Sequence, residues 1–193
     1  MKRILFFLYC IVVCGVSARL SGNDSELQDA CFTGAFTAGY VFKHDCRFKD
    51  VYGHGVINVI TADGCYYPWE CWGIGAKVGY WQATGQTTFL KKCTTLQEVP
   101  FTVYARRRKN FDCGVQLYGS LGGGFIWVNE ESYLGCVRDY KGIGEVELGL
   151  DYPIWRCINI TSAFRYLFPS QCLAGNTADV GGFDIRIGLG FSF

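Results

Sequence analysis

The stretch Asp179 to Phe193, DVGGFDIRIGLGFSF, decides the fold. Apolar residues hold six consecutive odd positions, Phe183, Ile185, Ile187, Leu189, Phe191 and Phe193, while Gly182, Asp184, Arg186, Gly188, Gly190 and Ser192 fill the even ones. A period of two is the signature of a β-strand. A soluble sandwich strand would turn its large residues inward and would seldom finish on an aromatic. The alternative places the apolar face in lipid and the charged face in a closed lumen. Twelve residues from Gly182 suffice to cross, because a tilted transmembrane strand needs about 9 to 11.

A membrane strand requires partners that close the sheet, since an open edge in lipid leaves backbone groups unsatisfied. Phe32, Gly34, Phe36, Ala38, Tyr40 and Phe42 form the outward face of a first strand. The second, about 55 to 67, places Asn58 and Asp63 in opposite phases, which leaves room for a bulge. The third carries Trp72, Ile74, Ala76, Val78 and Tyr80 outward with Lys77 inward. The fourth, about 94 to 107, sets Val99, Phe101, Val103 and Ala105 against Glu98, Thr102, Tyr104 and Arg106. Leu117, Leu121, Phe125 and Trp127 mark the fifth. In the sixth, Val146, Leu148, Leu150 and Tyr152 oppose Glu145, Glu147 and Asp151, and in the seventh Ile160, Phe164, Tyr166 and Phe168 oppose Thr161 and Arg165. The pattern predicts an all-β chain, an eight-stranded antiparallel transmembrane β-barrel.

Connection lengths alternate as such a barrel requires, with segments 43–54, 84–93, 129–138 and 169–179 long and polar, and 68–71, 108–112 and 153–156 short. The long set is expected on the outside. Tyr40, Phe42, Tyr80, Trp127, Tyr140 and Phe168 then form an outer aromatic girdle, and Trp69, Trp72, Tyr152, Trp155, Phe191 and Phe193 an inner one.

An alternating last strand that ends Gly190-Phe191-Ser192-Phe193 resembles the assembly signal of bacterial outer-membrane β-barrels, and the whole pattern resembles the small OmpA/OmpX-type members. The resemblance implies recognition of Phe191 and Phe193 by the barrel-assembly machinery and contact with outer-membrane lipids; with no further periplasmic domain expected beside the barrel, no peptidoglycan-binding module is expected. It implies a structural, adhesive or surface-interaction role and no cofactor.

At the other end Lys2 and Arg3 precede an apolar run from Ile4 to Val13 and the segment Cys14 to Ala18, the pattern of a secretory signal peptide over residues 1–18. The barrel domain is then expected over residues 19–193. Losing Lys2 and Arg3 leaves 16 basic against 17 acidic side chains, so net charge gives no case for a nucleic-acid partner. Nine of the 11 cysteines remain after the signal. Export makes disulfides the expectation. Cys46, Cys93, Cys136 and Cys172 map to the four outside loops, and Cys31, Cys65, Cys71, Cys113 and Cys157 to the inner rim. Bonding is expected within each set, Cys65 to Cys71 for example. An odd count leaves one thiol, expected on the inner rim where five cannot all pair, for covalent dimers or links to other envelope proteins, a usage similar to that of chlamydia-type envelopes.

The inward charges Lys77, Glu145, Glu147, Arg165 and Arg186 fall at similar heights and must be paired if buried. They are read as a salt-bridged plug, since eight strands enclose only enough space for side chains. Arg106-Arg107-Arg108-Lys109 reads as a solvated or headgroup-facing turn. His44 and His54, with Asp45, Cys46 and Asp50 nearby, raise the alternative of a lipid-modifying barrel enzyme or a metal site, but no spacing motif supports either. A secreted lipocalin-like barrel would need an apolar interior, which Glu145, Arg165 and Arg186 oppose.

Overall fold

The computed structural model describes residues 31–43, 46–53, 55–86, 91–111, 114–155, 157–169 and 181–193. The expected signal peptide, His44, His54, Cys113 and Cys172 lie outside them. Eight strands, β1 (Cys31–Phe42), β2 (Val56–Tyr67), β3 (Trp72–Gln86), β4 (Cys93–Asn110), β5 (Gln116–Ser132), β6 (Gly135–Trp155), β7 (Ile158–Pro169) and β8 (Gly182–Ser192), pair antiparallel with their sequence neighbours. Pairing of β1 with β8 closes the barrel. At the seam Phe32 and Phe193 exchange two backbone hydrogen bonds of 3.0 and 2.9 Å, so β8 is paired to its end.

The registers fix the geometry of the cylinder. Directly paired positions run from Phe32 through Tyr66, Ile74, Ala105, Leu121, Val146, Tyr166 and Phe183 to Phe42. One circuit therefore climbs ten residues along β1, from 32 to 42. With about 3.3 Å per residue and about 4.8 Å between strands, that stagger tilts the strands by about 40°.

Alternation then sorts the side chains. Phe36, Ile60, Val103, Leu121, Leu148 and Ile187 are exposed outward members of an apolar belt that surrounds the barrel, a surface suited to lipid and not to water. No helix among the described residues is long and apolar enough to cross a membrane. The crossing is made by strands.

Several connections differ from the sequence expectation. Pairing of β1 with β2 is continuous over the whole of both strands, so the anticipated bulge is absent and Asn58 faces outward beside Tyr40. Its amide is accommodated near the outer end of the strand, where water is within reach. Segment 129–138 is no loop: β5 and β6 stay paired up to Ser132 and Gly135, joined by Tyr133 and Leu134 alone. Gly135, at φ 132°, supplies the backbone shape this tight hairpin needs. Segments 84–93, 108–112 and 153–156 are likewise partly strand, because backbone pairing continues past the point where apolar alternation stops.

The first outside connection contains a helix, α1 (Cys46–Tyr52). Phe48 and Tyr52, four residues apart on one helix face, stack at 4.6 Å and turn toward the barrel mouth. Gly53, at φ 77°, ends the helix, its N–H donating to the Lys49 carbonyl at 2.9 Å. The helix lies so close to β3 that a Cβ on Gly85 would sit 2.2 Å from the Val51 carbonyl oxygen.

Candidate functional site: the charged lumen and its outer cap

Alternation points charges inward, and the stagger brings them level. One cross-strand row carries Arg106, Ser120, Glu147, Arg165 and Asp184 at directly paired positions of β4 to β8. Asp63 and Lys77 face each other across β2 and β3. Glu145 and Arg186 lie two residues from Glu147 and Asp184 on their own strands, hence on the same lumen face.

The eight charged groups among these form one ion cluster. Lys77 Nζ lies 3.0 Å from Glu145 and 2.6 Å from Glu147. Arg106 reaches Asp63 at 2.7 Å and Glu147 at 3.3 Å. Arg165 donates from Nε to Asp184 at 2.7 Å and lies 3.4 Å from Glu145. Arg186 donates from Nε to Asp184 at 2.8 Å and also pairs with Glu147. Four cations meet four carboxylates, so the buried cluster is neutral.

Two lumen tyrosines line it, and a threonine binds the nearby Asp151. Tyr104 O–H donates to Asp63 at 2.9 Å, and the Arg106 guanidinium lies against the Tyr104 and Tyr118 rings at 4.7 and 4.1 Å. Thr161 donates to Asp151 at 2.7 Å. Burying charge is costly unless every ion has partners of opposite sign and hydrogen bonds besides. Here every ion has a partner of opposite sign, with Arg106 Nε left without a hydrogen bond, and the cluster fills the inner half of the lumen with side chains.

All five charges singled out in the sequence, Lys77, Glu145, Glu147, Arg165 and Arg186, sit in this cluster. Asp63, Arg106 and Asp184 complete it. Their inward phase was readable, but which carboxylate meets which cation depends on register. The basic run is not a turn: β4 continues to Asn110, so Arg106 enters the lumen and Arg107 faces outward.

Toward the outside the filling becomes apolar. Val41, Ile57, Val59, Trp81, Leu96, Ile126, Ile143 and Leu167 form a packed cluster, with Phe48 of α1 set on it like a stopper. Tyr52 O–H donates to Glu130 at 3.1 Å and fastens the helix to β5. Burial and the nearby Glu130 carboxylate push the Tyr52 phenol up, which keeps it protonated and donating. Beneath the helix Lys43 pairs with Glu98 at 2.8 Å, both buried, and the Trp81 indole N–H donates to the same carboxylate.

The cysteines divide differently from the expectation. Cys65, Cys71, Cys93 and Cys136 are free thiols. The Cys65–Cys71 bond does not form: Cys65 is a lumen residue packed with Tyr67 and Tyr104, whereas Cys71 is exposed in the β2–β3 turn. Cys93 and Cys136 are exposed at the outer end, and Cys157 is half-buried in the β6–β7 turn. Cys31 begins β1 and Cys46 begins α1. Among the described residues no group of three or more histidine, cysteine or acidic side chains is placed to hold a metal. Phe191 and Phe193 are half-buried at the inner end of β8.

No protein-family model and no curated protein matches the sequence. Solved structures do match the fold. Neisserial surface protein A superposes with a TM-score of 0.64 at 9% identity over 86% of this chain and 100% of that one. OprG of Pseudomonas aeruginosa gives 0.59 at 14% identity over 86% and 95%. Ail, the attachment invasion locus protein of Yersinia pestis, gives 0.52 at 15% identity over 86% and 98%. At such identities the likeness is one of fold. Closed eight-strand topology and apolar belt define the class, a small transmembrane β-barrel, and solved structures that share this fold include bacterial outer-membrane proteins.

Proposed function

We propose that the protein is a non-conducting, non-enzymatic barrel that anchors surface segments on the cell exterior for contact with other surfaces. The observation that carries this reading is the doubly filled lumen. Ion pairs occupy the inner half, and an apolar cluster under α1 occupies the outer half. Among the described residues both halves are packed with side chains, which favours function at the outer surface.

The β5–β6 hairpin supports that placement. Beyond Trp127 and Tyr140 it continues seven residues to its tip, roughly 20 Å along the strand. Leu134 at the tip is 80% exposed and Val137 66%. Apolar groups displayed to water at the end of a rigid ribbon suit a contact surface. The fold analogy with Ail, whose name records attachment, points the same way without extending to partner or mechanism. Cys93 and Cys136, exposed nearby, support such contact with two accessible thiols.

The test replaces Tyr133-Leu134 by Asn-Gly, which preserves a two-residue hairpin. Cells carrying the variant are expected to lose attachment to coated surfaces while the barrel keeps its heat-modifiable gel mobility. Unchanged attachment refutes the reading. Purified wild type in planar bilayers is expected to give no stable conductance, and reproducible channels refute the sealed lumen.

A further inference from the structure

The basic run on β4 is split by the pleat into two pairs with different surroundings. Arg106 enters the ion cluster, and Arg108 turns to the β2–β3 side, donating from Nε to the Glu70 carbonyl at 2.9 Å and covering the Tyr67 ring at 3.9 Å. Arg107 and Lys109 face outward at the inner end of the apolar belt. Both are exposed, and neither makes a salt bridge among the described residues. Their neighbours are aromatic faces, Trp72 at 5.6 Å from Arg107 and Phe111 at 5.5 Å from Lys109.

Beside them the surface is hollow. Gly119, paired with both Arg107 and Leu148, carries no side chain, and a groove of about 600 Å³ runs from the two cations to Leu117 and Leu148. Glu70 is its acidic member, so the groove remains cationic. Outward cations at the edge of a lipid belt keep their heads at the interface, where they attract anionic headgroups. An aqueous anion would use the cations and leave the leucines idle. An anionic phospholipid uses both.

We propose that this groove binds one anionic phospholipid of the inner leaflet, its phosphate between Arg107 and Lys109 and an acyl chain along Leu117 and Leu148. The proposal rests on the orientation that puts the short turns inside. At about fivefold per interfacial cation, the two side chains give a preference for phosphatidylglycerol over phosphatidylcholine of roughly thirty-fold at low salt.

The experiment is native mass spectrometry of the full barrel released from mild detergent with dioleoyl-phosphatidylglycerol, dioleoyl-phosphatidylcholine or lipid A added. Wild type is expected to retain one phosphatidylglycerol selectively. Arg107→Gln with Lys109→Gln is expected to bring the two phospholipids near parity, whereas Lys49→Gln, an exposed cation of α1 on the other side, leaves the preference intact. Should the double variant fail the heat-modifiability check for folding, Lys109→Gln alone is measured and is expected to lose about fivefold. Selectivity that survives removal of the cations, or its absence in wild type, overturns the site. Retention of lipid A in preference to phosphatidylglycerol through the same two residues overturns the leaflet assignment.

Discussion

Glu147 is the hub of the lumen cluster, and replacing it by glutamine is the sharpest test of how the barrel is held. Its carboxylate contacts Lys77 at 2.6 Å, Arg106 at 3.3 Å and Arg186 besides. Glutamine keeps the volume but turns a balanced set of four cations and four carboxylates into one with a surplus positive charge. Removing one partner of a buried pair costs about 3 to 5 kcal/mol, because the remaining charge stays desolvated. With a urea slope of about 2 kcal/mol/M, the unfolding midpoint in vesicles should fall by roughly 2 M. Pairing Glu147→Gln with Lys77→Met removes one charge of each sign, restores neutrality and should recover most of the loss. The readout is the fraction of heat-modifiable, compact protein against urea. A Glu147→Gln shift worth less than about 1 kcal/mol, or a double variant worse than the single, refutes the claim that ion pairing secures the lumen.

Other outcomes follow from the faces and caps. Ile187→Arg puts a cation on the exposed side of β8 and should destabilise the barrel in bilayers by about 2 to 4 kcal/mol, measured by urea unfolding; Ile187→Leu should change little. Phe48→Ala withdraws the stopper from the apolar cluster, so trypsin should cut at Lys49 much faster while the barrel keeps its gel mobility. Maleimide should label Cys71, Cys93 and Cys136 in folded protein and reach Cys65 only after unfolding, with peptide mapping as the check.

Much of this architecture was legible because side-chain phase is local. Ile185 and Arg186 declare opposite faces from their immediate neighbours, and the same rule located all eight strands. Register is not local. That Glu147 lies opposite Arg165, and Arg165 opposite Asp184, follows from how three strands slide past one another, which no single strand records. The sequence accordingly leaves Asp63 in an uncertain phase and reads Arg106 with a basic turn, although both belong to the cluster. The β5–β6 ribbon escapes the sequence pattern for a related reason: above the membrane the outward face meets water instead of lipid, so Glu131 and Arg138 are exposed and need not alternate with apolar residues even though the backbone remains paired. Phe48 and Tyr52 were the signal for α1, two aromatics one helical turn apart in an otherwise polar segment.

The seam between β1 and β8 sets the order in which the molecule can be made. Phe32 and Phe193 bond directly across 161 positions of chain, while every other strand pair joins sequence neighbours. Closing so long a loop costs about 4 to 5 kcal/mol in chain entropy before any contact repays it. Hairpins can zip early, but the circle closes last. Until then the growing sheet carries two raw edges, β1 and whichever strand was added most recently, each offering backbone groups that lipid cannot satisfy and that another chain could capture. The route into the membrane must shield both edges at once, and the yield of correctly inserted protein is decided at the moment β8 arrives at β1.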